Sequence, residues 1–215
     1  MESTPPAATE TKSVWIVAIL LAALALRLGW SLHQSPDETS LAALPDQQEY
    51  LQLGRHLLAG QGLQFTDPRF GQVVWAYRTP GYPLLVAACG ADLRTIRIVQ
   101  AILDTSTVAA IFLLARRWLS PRQSLFAAAL VAIDPMLIYF SGLVLSETLF
   151  IAMLAWGMAL LSHVGRHAQH YTFKGAIILA LSVLVRPSAL LLGPILMIVM
   201  KPKSGLRLAA VSAGL

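Results

Sequence analysis

Cysteine is almost absent from this sequence: Cys89 is the single thiol among 215 residues. One cysteine excludes an internal disulfide framework, and Cys89 lacks the clustered Cys or His residues that a structural metal site requires. The five histidines show no ligand spacing, and the sequence contains no nucleotide-binding motif. We therefore predict no cofactor, although these absences do not exclude a divalent metal ion.

Charged residues are also few, at 13% of the chain, whereas 56% of the residues are hydrophobic and the mean hydropathy is +0.65. A water-soluble core of this size could not bury so much apolar surface, so the bilayer must act as the solvent. A net charge of +5 would suggest nucleic acid as the partner of a soluble protein, but here the placement of the charges matters more than their total. The composition predicts an integral membrane protein that contacts membrane lipids and no nucleic acid.

Long hydrophobic runs predict an all-α fold, a polytopic membrane helix bundle. The segment 14–32 would cover about 28 Å as a helix, close to the roughly 30 Å thickness of the hydrocarbon layer. The polar segment 1–13 before it has two prolines and no basic run typical of signal peptides, which predicts a disordered tail and then a retained anchor. Three further spans are predicted at 95–115, 122–141 and 144–164. The segment 173–200 is predicted to form two more helices, broken at Arg186-Pro187, which gives about six spans.

The interval 33–93 separates the first two predicted spans. Its apolar part, 83–91, is too short to cross the bilayer, so we predict a helix that lies at or dips into the interface. Basic residues cluster near 116–122, 166–174 and 201–207, and loops rich in Lys and Arg are cytoplasmic as a rule. This orientation places the amino terminus in the cytoplasm and the long loop on the outer side. The membrane is predicted to be the cell (inner) membrane.

The end of the chain is apolar again. The segment LRLAAVSAGL after Gly205 predicts the first turns of another span. We therefore expect residues 14–215 to form one membrane module that lacks its natural carboxyl-terminal part.

An acidic residue in the long loop, Asp46, precedes Tyr50 by four positions, which places both on one face of a helix. A Gly-x-Gly turn follows at 60–62. Taken alone, Asp46 has a structural interpretation as the cap of this helix, because a carboxylate satisfies free N–H groups and suits the dipole at a helix start.

The motifs of this region occur in a particular order. Asp-x-x-x-Tyr and the Gly-rich turn are followed by Arg78 with Pro-Gly-Tyr-Pro (80–83), and then by a span that contains Gln100 and ends in Ala-Arg-Arg. The segments DPMLIYFSGLVLSETLF and LVRPSALLLGP continue the order. Over about residues 14–200 the chain thus resembles the GT-C membrane glycosyltransferases, which include the protein O-mannosyltransferases and the lipid A aminoarabinose transferase. Each motif is short, but four in this order on a matching hydropathy profile are hard to obtain by chance.

The resemblance implies a fold whose first external loop carries the catalytic carboxylate, and Asp46 is the matching position. It implies transfer of a sugar from a polyprenyl-phosphate donor to a lipid, glycan or protein acceptor at the outer face of the membrane. Asp46 would take the proton of the acceptor hydroxyl, and Arg78 and Arg186 would bind the lipid phosphate. Tyr50 and Glu147 would shape the substrate pocket.

The same side chains have structural interpretations. Arg78 could reach to lipid headgroups, Arg186 could anchor a helix end, and Glu147 could cap the start of a span. Arg27, inside the first span, is expected either to pair with a carboxylate or to approach the lipid phosphate. Thr79 replaces the second proline of the family pattern beside Arg78, and Tyr77 stands where some relatives carry a carboxylate, so no metal ligand is predicted there.

Other titratable residues are assigned no role. The acidic pair at 37–38 lacks the Tyr and Gly-rich sequel and is expected in a solvated loop. His163, His167 and His170 are expected across the membrane from Asp46. Two other functions stay open: a small transporter or non-catalytic membrane subunit, which predicts an internal repeat that the sequence does not show, and an inactive truncated remnant of the glycosyltransferase.

Overall fold

The computed structural model describes residues 7–35, 37–67, 70–163 and 168–193. The fold is mostly helical, with short irregular connections and one β-hairpin. In chain order the α-helices and strands are α1 (Ala7–His33), α2 (Pro45–Leu58), β1 (Gln64–Asp67), β2 (Gln72–Trp75), α3 (Gly81–Ala88), α4 (Leu93–Ala115), α5 (Pro121–Ala132), α6 (Pro135–Ser141), α7 (Glu147–Leu161) and α8 (Ala168–Ser182). Short 3-10 helices span Glu38–Ala43 and Pro187–Leu191.

Two of the described helices are long and apolar enough to cross a membrane: Val14–His33 within α1, and α4. A third crossing is possible if α5 and α6, which are bent by 51° at the break between them, form one span. Helices α7 and α8 have 15 residues each, or about 22 Å, which is shorter than the roughly 30 Å hydrocarbon layer. About six membrane-spanning helices are therefore not confirmed in the described part of this chain.

The long loop between α1 and α4 contains more than the predicted interfacial helices. Strands β1 and β2 pair antiparallel with Phe65 opposite Val74, so the prediction of an all-α fold is wrong for this segment. Gly71 adopts a positive φ of 63° in the turn between the strands, a conformation that glycine favours. Alternation in so short a segment gives too weak a periodic signal to predict a strand from sequence.

The first and last described helices can be compared with the sequence prediction at their outer ends. Helix α1 begins at Ala7, within the segment predicted to be a disordered tail, and residues 1–6 lie outside the described part. Helix α8 is followed by a turn, and Arg186 adopts an extended conformation (φ −141°, ψ 120°) before Pro187, as predicted for a residue that precedes proline. The second half of the predicted broken span and the apolar carboxyl-terminal segment lie largely or wholly outside the described residues.

The buried Arg27 side chain ties α1 to α4 and to the end of α5. The Arg27 Nε donates to Asp104 Oδ2 on α4 at 2.5 Å, and both side chains are almost fully buried. The remaining Arg27 nitrogens donate to the carbonyl oxygens of Ala132 (2.7 Å) and Val131 (3.1 Å), at the end of α5. Carbonyls at a helix end lack intrahelical donors, so Arg27 satisfies them where the helix breaks. Of its two expected roles, pairing with a carboxylate is the one confirmed.

The main hydrophobic core lies at the end of the bundle where α1 ends and α4 begins. Most of its buried residues come from α2, α3, the first turns of α4 and the segment 141–146 that leads into α7. Tyr82 on α3 is fully buried there, packs edge-on against Tyr50, and donates a hydrogen bond to Gln100 Oε1 at 2.6 Å. Gln100 in turn donates to the carbonyl oxygens of Ser141 and Leu143. This core holds α2, α3 and the 141–146 segment in fixed positions around the cavity described next.

Candidate functional site

A cavity of about 630 Å³ lies at this end of the bundle. It is bordered by four parts of the chain: α2 with the loop after it, the segment before α3, the segment before α7, and the turn after α8. The lining residues are Tyr50, Leu63, Ala76, Tyr77, Arg78, Thr79, Pro80, Ser146, Val185, Arg186, Pro187 and Ser188. Its size falls within the roughly 300–1,000 Å³ range of small-molecule sites, and it presents two guanidinium groups to a ligand.

Backbone contacts between the segments before α3 and after α8 bring the two arginines to one cavity. The Gly81 N–H donates to the Leu184 carbonyl oxygen at 2.7 Å, and the Thr79 hydroxyl donates to the Val185 carbonyl oxygen at 2.8 Å. A Cβ at position 81 would lie 2.7 Å from that Leu184 oxygen, so the approach requires glycine. The glycine of the Pro-Gly-Tyr-Pro motif therefore has a packing reason in this fold.

Arg78 is held by two carboxylates and two aromatic rings. Its Nε and Nη2 donate to Glu49 Oε2 at 2.9 and 2.6 Å, and Nη2 also donates to Asp46 Oδ1 at 2.7 Å. The guanidinium carbon lies 5.3 Å from the centre of the Tyr50 ring and 5.2 Å from that of Tyr77, within cation–π distance. Burial alone would lower the pKa of Arg78, but the hydrogen bond and charge of Glu49, with the charge of Asp46, outweigh burial and raise it.

Arg186, which also lines the cavity, is held in a similar way. Its Nη2 donates to Glu147 Oε1 at 2.5 Å, and its Nε donates to the Ser146 hydroxyl at 3.2 Å. The Tyr50 hydroxyl reaches the same Ser146 oxygen at 3.4 Å. Ser146 therefore links the Arg186 pair to α2, which carries the residues around Arg78.

The structure brings all five sequence-predicted site residues to this end of the bundle. Arg78, Arg186 and Tyr50 line the cavity, whereas Asp46 and Glu147 contact the arginines without lining it. Asp46 does not cap α2, because the N-cap residue is Leu44 and no side chain caps this helix. The Asp46 side chain is 56% exposed, so it lies at the rim and is open to solvent.

Sequence reasoning missed Glu49. It makes two of the three carboxylate contacts to Arg78, and its side chain is only 14% exposed. The signal for it was present, because position 49 is three residues after Asp46 and such residues are neighbours on a helix surface. Gln47 was also passed over: its side-chain oxygen accepts a hydrogen bond from the Val144 N–H at 2.9 Å and ties α2 to the 141–146 segment.

The charged groups around the cavity do not balance. Asp46, Glu49 and Glu147 oppose Arg78 and Arg186, so with every group ionised the cluster carries one net negative charge. Within the described residues, no group of three or more His, Cys, Asp or Glu side chains is arranged to hold a metal ion. His163 is far from the cavity, near the end of α7, where its ring contacts Arg117 and Tyr171.

Comparison with known protein families identifies the chain. A family model for dolichyl-phosphate-mannose-protein mannosyltransferases matches residues 83–211, more than half of the sequence. The chain belongs to this mannosyltransferase family. The resemblance to GT-C glycosyltransferases inferred from sequence is thereby confirmed, and the chain is an integral membrane protein of a glycosyltransferase family.

The family match includes only some of the residues around the cavity. The matched residues, 83–211, include Glu147 and Arg186. The match begins after Asp46, Glu49 and Arg78. No curated protein and no solved structure matches the chain. The roles of the individual residues around the cavity therefore depend on their geometry and chemistry.

Proposed function

We propose that this protein transfers a sugar from a polyprenyl-phosphate-linked donor to a lipid, glycan or protein acceptor at the outer face of the cell membrane. The observation that supports this most is that two arginines, Arg78 and Arg186, line one cavity. Each comes from a different segment, and the carboxylates that fix them, two for Arg78 and one for Arg186, do not line the cavity. Family membership supports the reaction class, a membrane glycosyl transfer.

The arginines bind the phosphate that links the sugar to the lipid. A guanidinium is permanently charged and presents several N–H donors in a planar fork, which suits phosphate oxygens. During transfer the bond between the anomeric carbon and the phosphate oxygen breaks, and charge grows on the departing polyprenyl phosphate. Cationic groups already in position stabilise that charge as it develops.

Asp46 acts as the general base. The acceptor hydroxyl attacks the anomeric carbon, a new carbon–oxygen bond forms, and the hydroxyl proton moves to the Asp46 carboxylate. Asp46 Oδ1 accepts a hydrogen bond from Arg78 Nη2, and the Asp46 side chain is 56% exposed to solvent. Movement of Arg78 Nη2 toward a bound phosphate frees the Asp46 oxygen, which couples donor binding to activation of the acceptor.

Glu49, Tyr50 and Glu147 position these groups. Glu49 holds the Nε edge of Arg78, so the guanidinium can exchange Asp46 for phosphate without leaving the cavity. Tyr50 offers an aromatic face beside Arg78, and Glu147 fixes the Arg186 fork. These three are positioning residues for the donor, and no step of the reaction passes through them.

The placement of the cavity outside the cytoplasm rests on charge distribution. The opposite end of the bundle carries Arg116 and Arg117 in the α4–α5 connection and Arg122 in the first turn of α5, and basic connections remain cytoplasmic. Helix α4 runs between the two ends, so the cavity faces the other side. This orientation also places the amino terminus in the cytoplasm.

The direct test measures sugar transfer from polyprenyl-phosphate donors in membranes that contain the full chain. It compares the unaltered chain with the variants Arg78→Gln and Arg186→Gln. The exposed Arg122, at the opposite end, provides the matched control Arg122→Gln. We expect each cavity variant to reduce transfer at least about 10-fold, the effect of losing a hydrogen bond to a charged group, and the control to retain it. Transfer at the control level in both cavity variants would rule out the proposed phosphate site.

A further inference from the structure

A second cavity, of about 250 Å³, lies between the end of α1 and the start of α4. Its lining residues are Ser31, Leu32, Gln34, Arg94 and Arg97. None of these lines the first cavity, and none has a role in the proposed sugar transfer. The second cavity is cationic and smaller than the roughly 300–1,000 Å³ of sites that take drug-sized ligands.

Arg97 is buried without a carboxylate partner. The residue is only 4% exposed, and within the described part of the chain no acidic oxygen lies at ion-pair distance from it. Its Nε donates to the Gly142 carbonyl oxygen at 3.1 Å, and its Nη1 donates to the Ser35 carbonyl oxygen at 2.7 Å. Backbone carbonyls carry only partial charge, so the guanidinium charge is not neutralised. A buried cation near a membrane is costly unless an anion or water accompanies it.

Arg94 adds a second positive charge one helical turn earlier. It is exposed and lines the same cavity, and it lies close enough to the Asp92 carboxylate for the two charges to interact. The Asp92 carboxylate is already engaged, because it caps α4 through the Thr95 N–H and hydroxyl. These hydrogen bonds lower the pKa of Asp92, so it is ionised at neutral pH. The ionised groups therefore leave one net positive charge at this cavity.

The position of the cavity selects a lipid over a free anion. Leu32 is 48% exposed and belongs to the last turns of Val14–His33, one of the two described helices able to span a membrane. An anion bound by Arg94 and Arg97 therefore has exposed apolar helix surface beside it, where acyl chains pack. Basic pockets between membrane helices recognise lipid headgroups by this combination of charge and apolar surface.

We infer that the α1–α4 cavity binds the phosphate of an anionic phospholipid with a small headgroup. Arg97, which lines this cavity, donates a hydrogen bond to Gly142 near one end of the segment 141–146. Ser146, at the other end of that segment, lines the first cavity. A lipid phosphate at Arg97 therefore stabilises the segment that also orients Arg186 through Ser146. The inference does not depend on sugar transfer and holds whether or not the first cavity is catalytic.

The test measures lipid binding to the purified full chain in detergent, after removal of bound lipid, by native mass spectrometry. The probes are short-chain phosphatidic acid, phosphatidylcholine of the same chain length, and inorganic phosphate as a competitor. We expect phosphatidic acid to bind at least about 10-fold more tightly than phosphatidylcholine, as a charge-assisted contact predicts. We also expect inorganic phosphate to displace it weakly, because phosphate lacks the apolar part.

The variants are Arg94→Gln and Arg97→Gln, with Arg122→Gln as the matched control. Arg97→Gln also removes bonds to three backbone carbonyls and could fail to fold, so Arg94→Gln, an exposed position, decides the outcome. We expect Arg94→Gln to weaken phosphatidic acid binding about 10-fold and the control to leave it unchanged. Equal binding to Arg94→Gln and the unaltered chain overturns the inference, as does equal binding of the two lipids. Displacement by inorganic phosphate as strong as by lipid overturns the choice of a lipid ligand.

Discussion

The backbone N–H of Gly81 and the carbonyl oxygen of Leu184 form a hydrogen bond of 2.7 Å that joins the start of α3 to the turn after α8. These residues are about one hundred positions apart in the chain. Their contact determines that Arg78, three residues before Gly81, and Arg186, two residues after Leu184, line the same cavity. A small residue in the long loop thus controls the composition of the candidate site.

We predict that Gly81→Ala disrupts this contact. The added methyl carbon would lie 2.7 Å from the Leu184 oxygen and 2.8 Å from Val185 Cγ2, so the two segments must separate. Overpacking of this kind costs about 1–3 kcal/mol of stability. Because a displacement of about 1 Å can reduce catalysis about 100-fold, transfer activity should fall more than stability.

Thermal unfolding in detergent and a transfer assay measure the two effects of Gly81→Ala separately. Gly29→Ala is the matched control, because a Cβ at Gly29 in α1 would have no atom within 4 Å. Alanine is favoured over glycine in a helix, so the control should be as stable as the unaltered chain or more so. Full activity of Gly81→Ala would contradict the role assigned to the Gly81–Leu184 contact.

Asp46→Asn should reduce the turnover number by about 100-fold or more, the usual contribution of a general base. The fold should be unaffected, because the Asp46 side chain is largely exposed and Arg78 retains both contacts to Glu49. Kinetics with saturating donor measure the effect. Asp37→Asn is the control, since Asp37 caps the 3-10 helix Glu38–Ala43 and asparagine caps as well as aspartate. Unchanged turnover in Asp46→Asn would remove Asp46 from the mechanism.

Glu49→Gln should affect donor binding more than turnover. Glutamine keeps the shape of glutamate but replaces two charge-assisted hydrogen bonds to Arg78 with weaker ones. We expect the KM for the donor to rise about 10-fold while kcat changes only a few-fold, because a mobile Arg78 binds phosphate less well.

The exposed pair of Glu38 and Arg55 supplies the control for Glu49→Gln. Arg55 donates to both oxygens of Glu38, and its hydrogen bond lowers the pKa of Glu38 despite slight burial. Both side chains are about half exposed and lie away from the cavity lining, so Glu38→Gln should leave both kinetic constants unchanged. A fall in kcat for Glu49→Gln as large as that in Asp46→Asn would identify Glu49 as the base instead.

Breaking the buried pair in the helix bundle should be strongly destabilising. Arg27→Met leaves the Asp104 carboxylate buried without its partner, which costs about 3–5 kcal/mol. The double variant Arg27→Met with Asp104→Leu removes both charges and should regain much of that loss. Thermal unfolding of the single and double variants in one detergent measures the difference. A double variant less stable than either single variant would contradict this account.

Several features of the fold could be predicted from local sequence. The hydrophobic run from 14 to 32, the break at Arg186-Pro187 and the short helix after Pro80 follow from residue types and their spacing, which act over a few residues. The same reasoning predicted about six spans, a number that the described residues do not confirm, because apolar composition also suits helices that are too short to cross. Helices α7 and α8 are of this kind, and their 15 residues are too few for a full crossing.

The sequence by itself determined that the chain is a mostly helical membrane protein with a polar, motif-bearing loop, because hydropathy and proline placement are local properties. Only the tertiary structure decided which charges meet. Arg78 contacts Glu49 as well as Asp46, and Arg186 contacts Glu147, because backbone contacts bring distant segments together. Such pairing depends on close approach between segments far apart in the chain, and neither spacing nor composition encodes it directly.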